Sequence, residues 1–476
     1  MQVTTPEVRR HELVIIGTGS GNSIPPGYEH VDIAMVEDGK FGGTCLNVGC
    51  IPTKMFVYPA DLAWGTRRAA DLGVSAHVDK VDWTAIRDRI FTRIDAIEAG
   101  GRAYRSGPET PNITVYAGRG RFVGDKTLEV KLHDGSTQTI VGEKFVLAAG
   151  SRVIIPDIPG LDSPAVAGKV HTSDTVMRIP ALPQRMVILG SGYIAAEFAH
   201  VFSSFGTAVT QIARGDRLLS SQDISVSKAF TIDARHEYDV LLNTTVSRIS
   251  PDGDGLRIDL AGPDGASSIS TDLLLIAVGR RPNGDELNVT ATGVQMDAAG
   301  RVIVDDHQLT TEPDVWALGD ICSPMQLKHV ANREAKVVFY NILHPDAPIS
   351  IDHRFIPWAV FTEPQIAGVG LTQQDADAKG VRYVTAEQPY AGIAAGWARE
   401  DGVNFAKLLA DPDTGLLLGA HIIGPEAATL IQPLIQAMSF GLPADKMARG
   451  QFWIHPALTE LVENALLKLP LAGTAG

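Results

Sequence analysis

Short apolar runs that stop at glycines set the pattern of this chain. Glu12 to Ile16 reads as a strand that runs into Gly17-Thr18-Gly19-Ser20-Gly21-Asn22, and a second run, Ile33-Ala34-Met35-Val36, stops at Glu37. Strand, glycine turn, crossover and strand make a βαβ dinucleotide-binding unit. Glu37 lies 20 positions after Gly17, the spacing at which an acid meets ribose hydroxyls. One position departs from G-x-G-x-x-G: Asn22 stands where the last glycine belongs. The crossover also contains Pro25-Pro26-Gly27, which predicts a short or irregular helix.

The pattern recurs. Arg185 to Leu189 is a strand leading into Gly190-Ser191-Gly192-Tyr193-Ile194-Ala195, a G-x-G-x-x-A variant. A helix through Ala196-Glu197-Phe198-Ala199 follows, Gly206 ends it, and Ala208 to Ile212 form the next strand. Two such units imply two nucleotides, such as a flavin and a nicotinamide. Beyond residue 352 no nucleotide motif occurs. Strand-like runs at Asn404 to Leu409 and Leu416 to Ile423 precede a helix near Ala427 to Phe440, the pattern of an α+β domain.

Bulk properties narrow the class. A length of 476 residues suggests about three domains. The formal net charge of −14 argues against a general nucleic-acid surface. No apolar run is long enough to span a bilayer, and the polar stretch from Met1 to His11 lacks the apolar segment of a secretory signal, so a cytoplasmic protein is expected.

The chemistry concentrates in Gly42-Gly43-Thr44-Cys45-Leu46-Asn47-Val48-Gly49-Cys50-Ile51-Pro52-Thr53-Lys54. Two thiols at the start of a helix can close into a reactive disulfide, and the helix N-terminus stabilises the thiolate released when it opens. Pro52 fits the first turn, where its missing N–H is no loss. A structural disulfide and a zinc half-site are the alternatives. With three cysteines in all and no second pair, neither is favoured, and no metal is expected. Cys322 stands alone and reads as a buried apolar residue.

This string resembles the redox centre of the FAD-dependent pyridine nucleotide-disulfide oxidoreductases. Phe145 to Ser151, Ala277 to Asn283, Asp314 to Asp320 and His455-Pro456-Ala457-Leu458-Thr459-Glu460 extend the likeness over nearly the whole chain. The resemblance implies an α/β fold with two Rossmann-like domains, for FAD and NADPH, and a C-terminal α+β dimerisation domain. The implied boundaries are 1–155 for the first part of the FAD domain, 156–283 for the nicotinamide domain, 284–351 for the second FAD part and 352–476 for dimerisation. It implies that Cys50 faces the flavin, that Cys45 attacks the substrate disulfide, and that His455, oriented by Glu460, supplies the proton from the other subunit of a homodimer. Gly17, Gly19, Glu37, Gly43, Thr44, Gly150 and Asp320 are the implied flavin contacts. Lys54 paired with Glu197 sits by the reduced ring. Gly190, Gly192, the gating Tyr193 and Gly279 serve the nicotinamide.

Two choices remain. Relatives that prefer NADH carry an acid at the position of Ala213. Here no acid repels a 2′-phosphate and Arg214, followed by Arg217, is available to pair with one, so NADPH is favoured with some use of NADH; the later phosphate-reading position is Ser220. As to substrate, a small-molecule disulfide is implied. Gly17 to Ser23, Ile51 to Tyr58 and Ile454 to Glu460 resemble the mycothione reductase branch. Thr53, Asn22 and the double proline depart from dihydrolipoamide dehydrogenases, and the mercuric branch needs a C-terminal cysteine pair that this sequence lacks. Lipoamide oxidation, a glutathione-type reductase and a silent flavoprotein kept for binding are the competing readings.

Overall fold

The structure, a computed structural model, describes residues 8–472. Residues 1–7, within the polar stretch from Met1 to His11, and residues 473–476 lie outside them. The chain divides into two compact units. The first comprises the segment ending at Pro52 with Ala85–Ile154 and Gly279–Asp352. The second comprises Thr53–Thr84, Ile155–Val278 and the segment from His353 onward. Residues 53–84, within the range expected for the first flavin segment, belong to the second unit.

In the first unit, Val8–Ile16 is the central strand. It pairs in parallel with Ile33–Glu37 on one side and Thr137–Leu147 on the other. Ile113–Gly124 and Val315–Ala317 continue the parallel sheet outward. Leu13, Val14, Ile15, Ile33, Ala34, Met35, Phe145 and Val146 are almost entirely buried, as expected of strands covered on both faces. The strand starts four residues earlier than its apolar run, because Val8 and the polar Arg9-Arg10-His11 pair alongside Thr139 to Gly142. The crossover after Gly17 is the irregular one expected: a three-residue 3-10 turn, Ser20–Asn22, and then coil through the prolines.

The second unit contains a five-stranded parallel sheet in the order Asp239–Leu241, Ala208–Ile212, Arg185–Leu189, Leu273–Ile276, Val170–Thr172. It also contains an antiparallel five-stranded sheet, Pro357–Val360, Ile366–Gly370, Leu417–Ile423, Phe405–Ala410 and Val384–Pro389. The helix expected near Ala427 to Phe440 is two helices, Ala427–Leu430 and Gln432–Phe440. Pro433 lies in the first turn of the second, where its lack of an N–H favours a fresh start over continuation.

A buried ion pair braces this unit. Asp223 caps the helix Ile224–Glu237 by accepting from the Ser225 N–H, and the fully buried Lys407 of strand Phe405–Ala410 donates to the same Oδ1 at 2.9 Å. Ser225 and Gln373 take the remaining ammonium hydrogens at 2.9 and 2.6 Å, so neither charge is left without partners. Ser227 and Thr231 of the same helix bond the backbone of Leu218, which anchors the segment that follows Arg214.

Candidate functional site

The redox loop is a short helix, Gly43–Asn47, followed by the 19-residue helix Cys50–Arg68. Cys45 sits in the first and Cys50 opens the second, so both thiols lie at helix starts. Asn47 holds the loop in shape: its buried side-chain amide donates to the carbonyls of Phe41 (2.9 Å) and Gly43 (3.0 Å). These bonds tie the end of the first helix back to the turn that precedes Cys45. Cys45 is half-buried and Cys50 exposed. The hydrogen bond shared with Cys50, and then burial, pushes the Cys45 thiol well above the ordinary thiol range, while Lys328 pulls it down. A pair that shares one proton in this way has its first thiolate stabilised at the expense of the second. Cys322 is buried, and burial raises its thiol well above the usual value, so it is inert.

The first glycine loop fits a dinucleotide. Gly17 has φ +101°, and a Cβ there would meet the Ala148 carbonyl oxygen at 2.3 Å, so only glycine lets the loop pass over the strand end. Gly19 and Gly43 approach so closely that a Cβ on Gly43 would lie 2.7 Å from the Gly19 Cα, which brings the redox loop, with Thr44 exposed beside it, onto the nucleotide loop. Glu37 ends its strand half-buried and accepts from the Thr18 N–H (2.8 Å) and Thr18 Oγ1 (2.6 Å). Its carboxylate is thus fixed at the loop where a ribose would meet it. Just past the neighbouring strand Thr137–Leu147, Gly150 turns the chain at φ +65°. There Ser151 donates to Asp320 Oδ2 at 2.7 Å and Arg280 to Ser151 Oγ at 2.9 Å, orienting Asp320. Gly279, at φ +132°, precedes this arginine.

In the second unit, Gly190 repeats the geometry of Gly17: φ is +141°, and a Cβ would meet the Ala277 carbonyl oxygen at 2.2 Å. Gly192 leads into the helix Tyr193–Ser204, which carries Glu197 inward and leaves Tyr193 40% exposed at its start. Lys54 donates to both Glu197 oxygens at 2.7 Å. Glu197 is buried, and the Phe361 N–H adds a third bond at 3.0 Å, so the carboxylate is fully compensated. The Lys54 ammonium also lies 4.8 Å from the centre of the Phe361 ring.

Ala213 is buried and Arg214 exposed, with no hydrogen bond or ion pair among the described residues. Arg217 differs: Asp216 holds its guanidinium at 3.0 and 3.3 Å. Of the two arginines, Arg214 is the one free to take an anion. Near the C-terminus, His455 Nδ1 lies 2.7 Å from Glu460 Oε1. His455 is 71% exposed and Glu460 only 17%, so a fixed carboxylate orients an accessible imidazole.

Several residues escaped the sequence reading. Asn47 sat in plain view within the cysteine motif, and an amide between two redox cysteines is a signal for a staple. Asp216, adjacent to Arg217, signalled that arginine's neutralisation. Ser151 and Arg280 lie in strings that carry the likeness, but nothing there signals their bonds to each other or to Asp320, and Phe361 has no sequence signal. No helix among the described residues is long and apolar enough to cross a membrane, and no group of three metal-ligating side chains occurs among them.

Comparison with known proteins places these features in a family. A family model described as pyridine nucleotide-disulphide oxidoreductase matches residues 11–335, and one described as its dimerisation domain matches residues 356–466. The chain is 48% identical over 466 residues to a mycothione reductase of Mycobacterium tuberculosis, covering 96% of this chain and 99% of that one. It is 32% identical to a mercuric reductase of Streptomyces lividans, over 94% of each chain. Among solved structures it resembles the HOCl-induced flavoprotein disulfide reductase RclA of Escherichia coli, with a TM-score of 0.82, 26% identity, and coverage of 96% of this chain and 99% of that one.

Proposed function

Because the chain belongs to the pyridine nucleotide-disulphide oxidoreductase family, we propose that it is a homodimeric, NADPH-dependent mycothione reductase. Its cofactors are FAD and a nicotinamide dinucleotide. The observation that carries the substrate is the 48% identity to a mycothione reductase over 96% of the chain. The dithiol of Cys45 and Cys50, and the bonded pair His455–Glu460, supply the chemistry.

A flavin held here would supply hydride acceptance from the nicotinamide and two-electron delivery to the dithiol pair. The rest falls to the chain. The Gly17 loop and Glu37 would hold the adenosine half, and the oriented Asp320 the ribityl chain. Lys54, matched by Glu197, would offer positive charge to the flavin. The electron pair breaks the Cys45–Cys50 bond. Cys45 Sγ then attacks one sulfur of the substrate disulfide, whose S–S bond breaks as a Cys45–substrate bond forms. The first substrate thiolate leaves with a proton from His455. Glu460 occupies Nδ1, so Nε2 is the nitrogen that carries the moving proton. Cys50 Sγ next attacks Cys45 Sγ, re-forming the internal disulfide and releasing the second thiol. One NADPH and one proton convert one disulfide into two thiols. A reducing cytoplasm is where we place this reaction.

NADPH consumption with mycothione, glutathione disulfide and lipoamide side by side tests the substrate. Mycothione should be turned over and the other two scarcely; a preference for lipoamide would replace this reading with a dihydrolipoamide dehydrogenase. The shared site has its own test. His455 is exposed, as are Phe440, Phe452 and Ile454 of the same domain, which suits a face covered by a second copy. Mixing an inactive Cys45→Ser chain with an inactive His455→Ala chain should recover about a quarter of wild-type activity, because random assortment makes about half the dimers mixed and each mixed dimer has one intact site. Confirmed subunit exchange without recovered activity would mean that His455 serves its own chain or none.

A further inference from the structure

The flavin-binding loop lacks the element that ordinarily neutralises a pyrophosphate. A Rossmann loop hands its phosphates to the N-terminus of the crossover helix, whose unpaired N–H groups and dipole bind them. Here the loop ends in three residues of 3-10 turn, Ser20–Asn22, which present no such dipole. Two cations stand at that place instead. The Lys328 ammonium donates to Ser20 Oγ at 2.9 Å, and the Arg105 guanidinium donates to Asn22 Oδ1 at 2.7 Å and to the Asn22 carbonyl at 2.9 Å.

Lys328 is the anomalous one. It occupies the first turn of helix Lys328–Leu343, where a positive side chain opposes the helix dipole. It is half-buried, and its one hydrogen-bond partner is a neutral hydroxyl; no carboxylate lies within ion-pair distance of it among the described residues. Ser20 is held in turn by Asn332 of the same helix, to which it donates at 3.0 Å. Burial pulls the Lys328 ammonium below its ordinary range, and Cys45, Cys50 and Asp320 push it back up. A half-buried, unpaired cation in an unfavourable helix position is costly in isolation. An anion at the loop would remove that cost.

We propose that Lys328 is a binding residue for the FAD pyrophosphate, supplying at the Gly17–Gly21 loop the positive charge that the missing crossover helix does not. Arg105 is its positioning counterpart, fixing the loop's end through Asn22. The inference rests on the family reading that FAD occupies this loop.

The test uses the holoenzyme. Flavin fluorescence recovered on serial dilution gives the FAD dissociation constant for wild type, Lys328→Met and Lys328→Arg at low and high salt. Loss of a charge-assisted phosphate contact should raise that constant by about 10- to 100-fold in Lys328→Met. The arginine variant should restore most of the affinity, and Lys328→Met should show a weaker salt dependence than wild type. Should Lys328→Met not fold, Lys328→Gln takes its place. An unchanged dissociation constant with a shifted Cys50 thiolate titration would overturn the proposal and assign Lys328 to the thiols. An unchanged constant with no shift would overturn it as well. A wild-type protein that binds no FAD would sink the family reading itself, a result distinct from either.

Discussion

The two glycine loops of this chain begin alike and then diverge. In each, the first glycine N–H donates to the end of the neighbouring strand, Gly17 to the Val36 carbonyl at 2.8 Å and Gly190 to the Ile212 carbonyl at 3.0 Å. In each, a side chain on that glycine would strike an alanine carbonyl, of Ala148 or of Ala277. Past that point the second loop enters a twelve-residue helix, Tyr193–Ser204, while the first reaches only a three-residue turn. The charged residues diverge too. The first loop has Glu37 tied to Thr18 and two cations, Lys328 and Arg105, without ion-pair partners among the described residues. The second has buried Ala213 and the unpaired, exposed Arg214. Strand and glycine geometry is what the βαβ turn requires of the chain. The source of positive charge for the nucleotide is replaceable, a helix end in one unit and side chains in the other.

The glycines give the strongest way to break this comparison. Gly17→Ala should yield colourless protein that has lost FAD. Gly190→Ala should stay yellow but accept electrons from NADPH slower by on the order of 100-fold, because a nucleotide displaced by about an ångström loses its reactive alignment. Absorbance after purification and stopped-flow reduction read the two effects. A colourless Gly190→Ala beside a yellow Gly17→Ala would reverse the assignment of the loops.

Arg214 sharpens the contrast next. Arg214→Ala should raise the KM for NADPH by about 10- to 100-fold, the loss of one charge-assisted contact of about 1.5–3 kcal/mol, and leave the KM for NADH nearly unchanged. Arg217→Ala, whose charge Asp216 already holds, should change either constant by only about twofold. Equal effects of Arg214→Ala on both cofactors would mean that it does not read the 2′-phosphate.

The smallest effect concerns stability. Beside the cations of the first unit, the second unit has carboxyls with no ion pair among the described residues. Burial, and then the nearby Asp61 and Asp233, raises Glu363 from 4.5 to about 8, and burial with Glu237 raises Asp233 to about 6. These carboxyls ionise later in the fold than in the unfolded chain. They therefore favour the unfolded state increasingly as pH rises from about 4.5 to about 8, and acidification through that window restores stability. Glu363→Gln should raise the Tm at pH 9 by roughly 2–4 °C and narrow the difference between pH 5.5 and pH 9. An unchanged pH profile would remove Glu363 as its source.

Much of this was legible in the sequence because it lay in local pattern. The run-and-glycine pattern located both βαβ units, and Asn22 with Pro25-Pro26 announced the broken crossover. The His455–Glu460 pair is five residues apart, within reach of a single turn. Local pattern does not reveal pairings across long separations, and the one between Lys54 and Glu197 is legible only through the family resemblance. Lys328 and Ser20, Arg105 and Asn22, and Lys407 and Asp223 meet only because sheets and helices bring distant segments together. The first strand's extra length was hidden for a related reason: its polar residues gain from backbone pairing with Thr139 to Gly142, to which hydrophobic pattern is blind.

The central claim is that electrons reach the substrate through the Cys45–Cys50 pair, and anaerobic titration with NADPH tests it most directly. The wild-type protein should take up its first two electrons per chain with the flavin still oxidised and a new long-wavelength absorbance from the Cys50 thiolate beside it. Cys50→Ser should keep its FAD, show no such band, and bleach at the first equivalent. A wild-type flavin that bleaches at once, or a Cys50→Ser protein that still forms the band, would contradict the account.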